Sequence, residues 1–349
     1  MKLQARKGYC GWLGHVWLLL GMLLIAVPLS ARTALIYIAN RSGDSVNVID
    51  PKTDRVVQMI EGIELPHGVD FSPDGSRVYI SGEGENALYF VDQKSGKIIN
   101  KVADSGDPQT IAVTKDGRRV FVGIKTIHDD QGALDVIDTT SLERVKTIDM
   151  HGPLHDIYLT PDGKYVVAGS ESGKFFKVVD VQTEQIVWEV KFDREVRSMA
   201  IESGPDGSTR RIFVNLGQLH GFAVVDFATR KEVARIPLPQ EPSGYHVSPR
   251  SSGNETHGIG VAPDGKTLWV NSKDAKGVFV YSLPDLKLLG HARTGWLPQW
   301  ITFTPDSKKV YVSNLMDNAV SVIDAETLKM VAQIPLGQDP EDSATLVLP

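Results

Sequence analysis

Three histidines occupy one recurring position in the sequence, at the start of the short apolar segments HGVDF, HDIYL and HGIGV. These residues are His67, His155 and His257, three of the nine histidines in the chain. Neutral imidazole is a common ligand of zinc, copper, iron and nickel, and three imidazoles with one open position form a recognised catalytic arrangement. The pattern predicts a divalent transition-metal site with these three ligands. The alternative is that each histidine only hydrogen-bonds water or neighbouring backbone.

Four other polar residues open equivalent segments and are predicted to complete a ring with the histidines. They are Gln109, Arg197, Gln299 and Asp342, and the seven positions follow one another at intervals of 42, 46, 42, 60, 42 and 43 residues. An arginine can form bidentate hydrogen bonds with a carboxylate, and an amide offers both donor and acceptor atoms. We therefore expect these residues to bind a small ligand with an anionic or carbonyl group.

The elements that must position this ring repeat along the chain. A Pro-Asp-Gly-like turn recurs, with its aspartates at Asp74, Asp116, Asp162, Asp206, Asp264 and Asp306. A second marker closes a later apolar segment at Asp50, Asp92, Asp138, Asp180, Asp226, Ser282 and Asp324. Proline and glycine set the backbone of the Pro-Asp-Gly-like turns. The aspartates of the second marker are predicted to cap turns rather than to catalyse. A period in the low forties, with four alternating segments in each unit, predicts the blades of a β-propeller.

Seven inner segments can be counted, namely HGVDF, TIAVT, HDIYL, SMAIE, HGIGV, WITFT and ATLVL. The seventh has no following strand, and the first strand-like segment, LIYIA at residues 35–39, has no preceding inner segment. The sequence therefore predicts an all-β, seven-bladed propeller with four-stranded blades. Its ring is predicted to close by pairing N- and C-terminal strands, which removes exposed sheet edges. Residues 32–349 are predicted to form this one domain.

The YVTN-type propeller repeat is similar to four segments of this chain, namely VYISG, VFVGI, LWVNS and VYVSN. Each of them is followed by a VID-like strand. The resemblance covers about residues 33–349, and the overall plan is similar to the periplasmic YncE-type proteins. It implies the seven-bladed fold. Because such families contain binding proteins, enzymes and proteins of unknown role, it does not imply one activity.

The N-terminal segment has the features of an export signal. Lys2, Arg6 and Lys7 precede an uncharged stretch at residues 16–29, and Ser30 and Ala31 follow it. Fourteen residues of helix span about 21 Å, which is short for a bilayer core of about 30 Å. Residues 1–31 are therefore predicted to be a cleaved signal peptide of a periplasmic or secreted protein, with no membrane span after its removal. The alternative is an uncleaved N-terminal anchor.

Composition excludes several classes of protein. The 349 residues are 42% hydrophobic and 23% charged, which is typical of a globular chain. The formal net charge of -6 argues against a broad nucleic-acid-binding surface. The only cysteine, Cys10, lies in the predicted signal, so a disulfide framework, a cysteine zinc site and covalent c-type haem attachment are excluded. The sequence contains neither a nucleotide-binding glycine loop nor a serine nucleophile elbow.

A second resemblance concerns possible catalysis. The segment Glu255-Thr256-His257-Gly258-Ile259, followed by Pro263-Asp264-Gly265, resembles a short part of the streptogramin lyases. Those enzymes are also seven-bladed, and the resemblance implies an acid–base role for His257 and a metal or catalytic role for Glu255. His246 lies in the longest connection, residues 237–256, and is a further candidate base if the protein is an enzyme.

Four functions remain open at this point. The first is a periplasmic binding or accessory protein for a metal ion or a small ligand. The second is a metal-assisted lyase or lactonase that uses the same pocket. The third is haem binding, since the ring is similar to the haem-carrying propeller of periplasmic nitrite reductases. The fourth is a protein-interaction platform. A small molecule or a periplasmic protein is the expected partner, and a monomer is the expected state.

Overall fold

The structure is a computed structural model that describes residues 33–129, 131–239 and 256–348. Within these ranges the chain forms seven four-stranded antiparallel sheets. The inner strand of each sheet contacts the inner strand of the next, and the seventh contacts the first, so the sheets surround a central channel. The prediction of a seven-bladed β-propeller is confirmed.

The strands are numbered in chain order and grouped here by blade. Blade one is β4 (Pro66–Phe71), β5 (Arg77–Gly82), β6 (Ala87–Asp92) and β7 (Ile98–Ala103). Blade two is β8 (Pro108–Val113), β9 (Arg119–His128), β10 (Gln131–Asp138) and β11 (Glu143–Asp149). Blade three is β12 (Leu154–Leu159), β13 (Tyr165–Ser170), β14 (Phe175–Asp180) and β15 (Gln185–Lys191). Blade four is β16 (Val196–Ser203), β17 (Thr209–Leu216), β18 (Gly221–Asp226) and β19 (Lys231–Pro237). Blade five is β20 (Ile259–Val261), β21 (Thr267–Ser272), β22 (Gly277–Ser282) and β23 (Leu288–Arg293). Blade six is β24 (Pro298–Phe303), β25 (Lys309–Asn314), β26 (Ala319–Asp324) and β27 (Lys329–Pro335). Blade seven is β28 (Pro340–Val347), β1 (Ala34–Asn40), β2 (Ser45–Asp50) and β3 (Arg55–Glu61). Short 3-10 helices follow β1 and β25, at Arg41–Gly43 and Leu315–Asp317.

Blade seven joins the two parts of the chain that are most distant in sequence. Its strand order is β28-β1-β2-β3, and the β1–β28 register pairs Ile36 with Thr345 and Ile38 with Ser343. Just beyond these strands, the Leu348 N–H donates a hydrogen bond of 2.9 Å to the Thr33 carbonyl. The predicted closure of the ring between N- and C-terminal strands is therefore confirmed, and it completes the four strands of blade seven.

The recurrent aspartates cap turns, as predicted for those of the second marker. Asp50 accepts a hydrogen bond of 2.9 Å from the Lys52 N–H, and Asp74 accepts one of 3.0 Å from the Ser76 N–H. Gly75 has a φ of +70°, a value that favours glycine in this turn. Equivalent side-chain caps occur at Asp92, Asp138, Asp180, Asp226 and Asp324. These short turns fix the register that delivers each inner strand to the channel.

The hydrophobic core lies between neighbouring blades. Tyr37, Tyr79, Trp269 and Tyr311 are each at most 1% exposed and are among the largest fully buried side chains. Full burial of a large apolar side chain contributes about 1.5–3 kcal/mol, and clusters of this kind are shared by adjacent blades. No helix in the described ranges is long and apolar enough to span a membrane. The rigid packing between blades holds the channel-lining residues in place.

Candidate functional site at the channel mouth

A β-bulge at the start of six of the seven inner strands directs ring residues into the channel, whereas β20 begins after His257 and pairs without a register shift in the described ranges. In blade one, Pro66 pairs with Gly82 and Val69 pairs with Ile80, so His67 and Gly68 together oppose the single residue Ser81. The same shift occurs in β8, β12, β16, β24 and β28. A bulge re-aims the side chain at the extra residue, and proteins often place one beside a functional site.

The strand pairing corrects the seventh member of the predicted ring. Pro340 pairs with Asn40 and Ser343 pairs with Ile38, so the residue equivalent to His67 is Glu341 rather than Asp342. The sequence alignment was displaced by one residue in this blade, although Pro340 is the equivalent of Pro66. Asp342 instead occupies the next position along the strand, and its predicted role in ligand binding stays a prediction.

The three histidines are buried and lie close together around a tryptophan. The imidazole centroids of His67 and His155 lie 6.2 Å apart, and those of His155 and His257 lie 5.4 Å apart. The ring of Trp300 lies 5.6 Å from His67, 6.1 Å from His155 and 4.4 Å from His257. All four side chains belong to residues that are at most 7% exposed. The indole is therefore the common neighbour of the three imidazoles.

Trp300 was not predicted as a site residue. It follows Gln299 in β24, and the equivalent residues of the other blades are much smaller: Gly68, Thr110, Asp156, Ser198, Gly258 and Asp342. This size difference within one column of the repeat is the sequence signal that could have identified it. If the strand alternated regularly, the tryptophan at this position would be interpreted as a core residue. The bulge at residues 299 and 300 instead directs its side chain to the channel.

His67 lies in an acidic part of the ring. Its Nε2 atom is 3.4 Å from Glu341 Oε2 and 4.0 Å from Glu83 Oε1. Burial lowers the pKa of His67 to about 4, although Glu83 acts in the opposite direction. Burial raises the pKa of Glu341 to about 7, against the effect of Arg41. At neutral pH His67 is thus a neutral imidazole. It lies beside the carboxyl group of Glu341, whose pKa is close to neutral pH.

His155 has the opposite electrostatic setting. Its Nδ1 atom is 2.7 Å from Asp156 Oδ1, and its Nε2 atom is 3.5 Å from Glu171 Oε1. Burial disfavours the imidazolium, but the charge and hydrogen bond of Asp156, together with Glu171, raise the pKa of His155. Arg197 forms an ion pair with Glu171 and another of 2.7 Å with Glu195. This side of the ring therefore presents cationic groups that are held by carboxylates.

His257 is the most strongly neutral of the three histidines. Burial lowers its pKa well below the usual value, and the positive charges of Lys273, His155 and Arg197 act in the same direction. A neutral imidazole keeps a lone pair that can accept a hydrogen bond or bind a metal ion. His257 and His67 thus retain ligand capacity at neutral pH.

Some polar atoms of the ring are buried without a partner in the described part of the chain. They are Nδ1 of His67, Nδ1 of His257, Nε of Arg197 and Oε1 of Gln299. Gln109, in contrast, donates a hydrogen bond of 3.0 Å to Glu83. Buried polar atoms are normally satisfied by protein groups or by ordered water. The four atoms are hydrogen-bonding capacity that a bound molecule could use.

A set of buried side chains in the second strands holds the ring together, and the sequence analysis missed it. Asn271 accepts a hydrogen bond of 2.7 Å from the His257 N–H and donates one of 2.5 Å to the Gln299 carbonyl. Ser81 connects the Gly68 N–H to the Gln109 carbonyl in the same way. The signal was the Ser or Asn near the end of VYISG, LWVNS and VYVSN, which is regular enough in the repeat to suggest a positioning role.

The remaining predicted site residues lie elsewhere or outside the described ranges. Glu255 and His246 fall in residues 240–255, which the structure does not describe. Among the described residues, no group of three or more His, Cys, Asp or Glu side chains is arranged to hold a metal ion. Convergence of the histidines is thus observed, but a preformed three-histidine coordination group is not.

The fold and the ring can now be compared with known proteins. Residues 26–301 match the model of the YncE-like β-propellers, which is most of the chain. The chain belongs to this YncE-like β-propeller family. A comparison with curated proteins found no match to this YncE-like chain.

Solved structures show the same fold at low sequence identity. The propeller is similar to hydrazine synthase of Kuenenia stuttgartiensis, with a TM-score of 0.71, 22% identity, and coverage of 82% of this chain and 91% of that one. It is similar to the dihydro-haem d1 dehydrogenase NirN in complex with DHE, with a TM-score of 0.65, 17% identity, and coverage of 89% and 74%. It is also similar to a candidate 6-phosphogluconolactonase of Bacteroides fragilis, with a TM-score of 0.71, 16% identity, and coverage of 91% and 99%. At these identities the YncE-like chain shares a fold with them, and function must be argued from its own site.

Proposed function

We propose that this YncE-like propeller is an exported binding protein that holds a small polar ligand at the mouth of its channel. The observation that carries the proposal is the convergence of His67, His155 and His257 around the indole of Trp300. Ligand sites are concave, and they combine an aromatic or apolar surface with a few polar groups that fix orientation. The ring combines these features in one buried place.

The charges around the pocket favour a ligand with an anionic or carbonyl group. Arg197 has a buried Nε atom without a partner in the described ranges, and Asp156 and Glu171 favour the cationic form of His155. Hydrogen bonds between charged donors and a carboxylate are among the stronger ones in proteins. The neutral imidazole of His257 and the amide oxygen of Gln299 add acceptors for hydroxyl or amide groups of the same ligand.

A divalent transition metal is a second candidate for the pocket. Burial keeps His67 and His257 neutral, and the His155 and His257 rings lie only 5.4 Å apart. Since no three such side chains in the described ranges form a ready coordination group, a metal ion would need ligands from water or from the bound molecule. A metal–ligand complex is therefore a more natural occupant than a metal ion alone.

Export is supported by the sequence of residues 1–31, with its basic start and uncharged apolar stretch. The partner is then a small molecule of the periplasm or exterior, or a periplasmic protein that receives it. Because a single chain closes the ring, a monomer is sufficient for the site.

The other functions depend on further observations. A metal-assisted lyase or lactonase would use His257 with Glu255 and His246, and the latter two lie outside the described ranges. A haem-type ligand is worth testing because NirN, one of the structural neighbours, is in complex with DHE. Absorption spectra separate a haem-type ligand from the rest, because only that ligand gives a Soret band.

The test is a thermal-shift screen on the exported protein with defined probes. The probes are Zn2+, Co2+ and Cu2+, small mono- and dicarboxylates such as acetate and succinate, and haem. The variants are His257→Ala in the ring and, as a matched control, His151→Ala, since His151 is exposed and pairs with Asp149 outside the ring. We expect at least one carboxylate or metal–carboxylate mixture to raise the melting temperature of the wild type and of His151→Ala, but not of His257→Ala. Equal shifts in all three proteins, or no shift with any probe, would contradict the proposal.

A further inference from the structure

The polar groups of the channel mouth are distributed unevenly around the ring. Gln299 in blade six and Glu341 in blade seven present acceptor atoms, whereas Arg197 in blade four presents donors. The Oε1 atom of Gln299 and the Nε atom of Arg197 are both buried without a partner in the described ranges. Blades four and seven are three steps apart in the ring, so these acceptors and donors lie on opposite sides of the channel.

Glu341 is a carboxylate without a cation of its own. Its Oε2 atom lies 3.4 Å from Nε2 of His67 and 4.0 Å from Nε of Arg41. The Arg41 guanidinium hydrogen-bonds Glu83 instead, and its Nε atom is 2.9 Å from Glu83 Oε2. Burial keeps His67 neutral at neutral pH, so the imidazole adds no compensating charge. Within the described ranges, Arg41 is thus the one permanent cation near Glu341, and it is already paired.

The charge around Glu341 stays negative in either protonation state of this residue. Burial raises the pKa of Glu341 to about 7, with Asp339 and Glu83 acting in the same direction and Arg41 against them. These three carboxylates and one guanidinium sum to -2, and protonation of Glu341 leaves -1. Two further groups on this side have opposite charges, namely Asp107 and Lys125. A positively charged group of a ligand is therefore attracted to this side of the ring.

The opposite side offers hydrogen-bond donors to a carboxylate. Arg197 forms an ion pair with Glu171 and another of 2.7 Å with Glu195, and its Nε–H is left for a further acceptor. Burial disfavours the imidazolium of His155, but Asp156 and Glu171 raise its pKa above the ordinary value. Because the acidic neighbours balance these cations, a ligand that is neutral overall fits better here than a free anion.

Ser313 holds an aromatic residue next to the acidic side. Its hydroxyl accepts a hydrogen bond of 3.0 Å from the Trp300 N–H and donates one of 2.8 Å to the Glu341 carbonyl. Trp300 and Glu341 are therefore neighbours across the junction between blades six and seven. An indole attracts a cation that lies over its face, and a carboxylate forms charge-assisted hydrogen bonds with an ammonium group. The two residues together have the chemistry of an ammonium site.

We propose that the ligand of the channel mouth is a short amino acid, with its ammonium group at Glu341 and its carboxylate at Arg197. This inference rests on the proposed function, which it narrows to one class of ligand. The imidazoles of His67 and His155, which lie beside the two ends, are 6.2 Å apart, so few bonds separate the charged groups of the ligand. A simple carboxylate would leave Glu341 without a cation, and a simple amine would leave Arg197 without an acceptor.

The test is isothermal titration calorimetry of the full exported chain at pH 8 with matched pairs of probes. The pairs are acetate and glycine, propionate and β-alanine, and butyrate and γ-aminobutyrate, and propylamine is the probe without a carboxylate. At least one amino acid should bind about tenfold more tightly than its matched carboxylate, since a hydrogen bond between charged groups contributes at least this factor. The same amino acid should also bind more tightly than propylamine. This comparison uses the wild type and does not depend on the folding of a variant.

Glu341→Gln assigns the ammonium site, because it keeps the shape of the side chain and removes its charge. The variant should bind the simple carboxylate as the wild type does, and the advantage of the amino acid should fall to about twofold or less. Asp285→Asn is the matched control, since the Asp285 side chain is 62% exposed and pairs with Lys287 outside the ring. It should keep the full advantage of the amino acid.

Four results would overturn the inference. Equal affinity for the two members of every pair would exclude an ammonium site and leave the proposed function standing. Propylamine that binds as tightly as β-alanine would show that the carboxylate contributes nothing. An unchanged advantage in Glu341→Gln would place the ammonium group elsewhere. If none of these probes binds, the amino acid assignment is wrong, and the proposed function depends on the other probes of the thermal-shift screen.

Discussion

The side-chain oxygen of Asn271 accepts a hydrogen bond of 2.7 Å from the backbone N–H of His257. The amide nitrogen of the same side chain donates to the carbonyl of Gln299 in the next blade, at 2.5 Å. One completely buried side chain in β21 thus fixes two adjacent members of the ring. The propeller supplies the general arrangement, and buried polar bridges of this kind set the positions of the ring residues.

Asn271→Ala should therefore disturb the pocket as well as stability. The substitution leaves a buried N–H and a buried carbonyl without their partner, which costs about 1–3 kcal/mol for each group. The free energy of unfolding should fall by this amount in chemical denaturation. The imidazole NMR signals of His257 should also move, because its backbone loses its anchor.

Asn314→Ala is the matched control for that substitution. Asn314 is equally buried, but its side chain bonds Ala319 and Ser321 within its own blade. We expect a similar loss of stability and unchanged signals from His257. If Asn271→Ala left those signals where they are in the wild type, the positioning role would be wrong.

Ring closure predicts a strong effect of the C-terminal strand on the whole domain. Removal of residues 343–349 eliminates five of the six residue pairs between β28 and β1. The entire propeller should then lose cooperativity and melt at a markedly lower temperature. A truncated protein with the melting temperature of the full chain would contradict closure through these strands.

A milder change tests the same junction without truncation. Leu346 is 3% exposed in β28 and packs in the cluster that contains Tyr37 and Val48. Leu346→Ala should cost about 2–5 kcal/mol. Leu289→Ala, at a residue that is 56% exposed on an outer strand, should cost much less. Similar losses in the two variants would show that the seam is not a principal source of stability.

Asp104 predicts a pH dependence that is independent of the channel. Its two carboxylate oxygens have no partner in the described ranges, and burial with repulsion from Asp135 raises its pKa to about 8. Since the folded-state pKa exceeds that of the unfolded chain, this group favours folding at low pH. Its contribution is complete below about pH 4 and is lost as the pH rises towards 8.

Asp104→Asn should remove that dependence. Relative to wild type, the variant should gain stability between pH 5 and pH 9, at most about 1.4 kcal/mol for each unit of the pKa shift. The measurement is the free energy of unfolding at several pH values, with Asp285→Asn as an exposed control. A difference between wild type and Asp104→Asn that is constant with pH would contradict the raised pKa.

The sequence was sufficient to predict the fold because its signals are local and repeated. Turn residues such as Asp50 and Asp74 recur with one period, and alternating apolar residues mark the strands between them. The pairing of β28 with β1 followed from counting segments. The same count identified His67, His155 and His257 as equivalent positions, and the structure places their rings close together around Trp300.

The parts of the site that the sequence did not predict depend on geometry across blades. Glu341 was missed because the alignment of the seventh blade was displaced by one residue, although Pro340 matches Pro66 in the first blade. In the sequence Trp300 has the pattern of a core residue, but in the structure the bulge directs its side chain to the channel. The contacts of Glu83 with Arg41 join residues 42 positions apart in adjacent blades, and strand patterns carry no information about such pairs.

The most direct test of the central claim is the ligand content of the folded protein, purified without added ligand. Native mass spectrometry combined with elemental analysis should be applied to wild type, His155→Ala and the control His151→Ala. The pocket around Trp300 predicts a bound small molecule, with or without a transition metal, in the wild type and in His151→Ala. It predicts loss of that bound mass in His155→Ala, because the imidazole of His155 lies beside those of both His67 and His257. The same bound mass in all three proteins, or none in the wild type, would contradict a ligand site at the channel mouth.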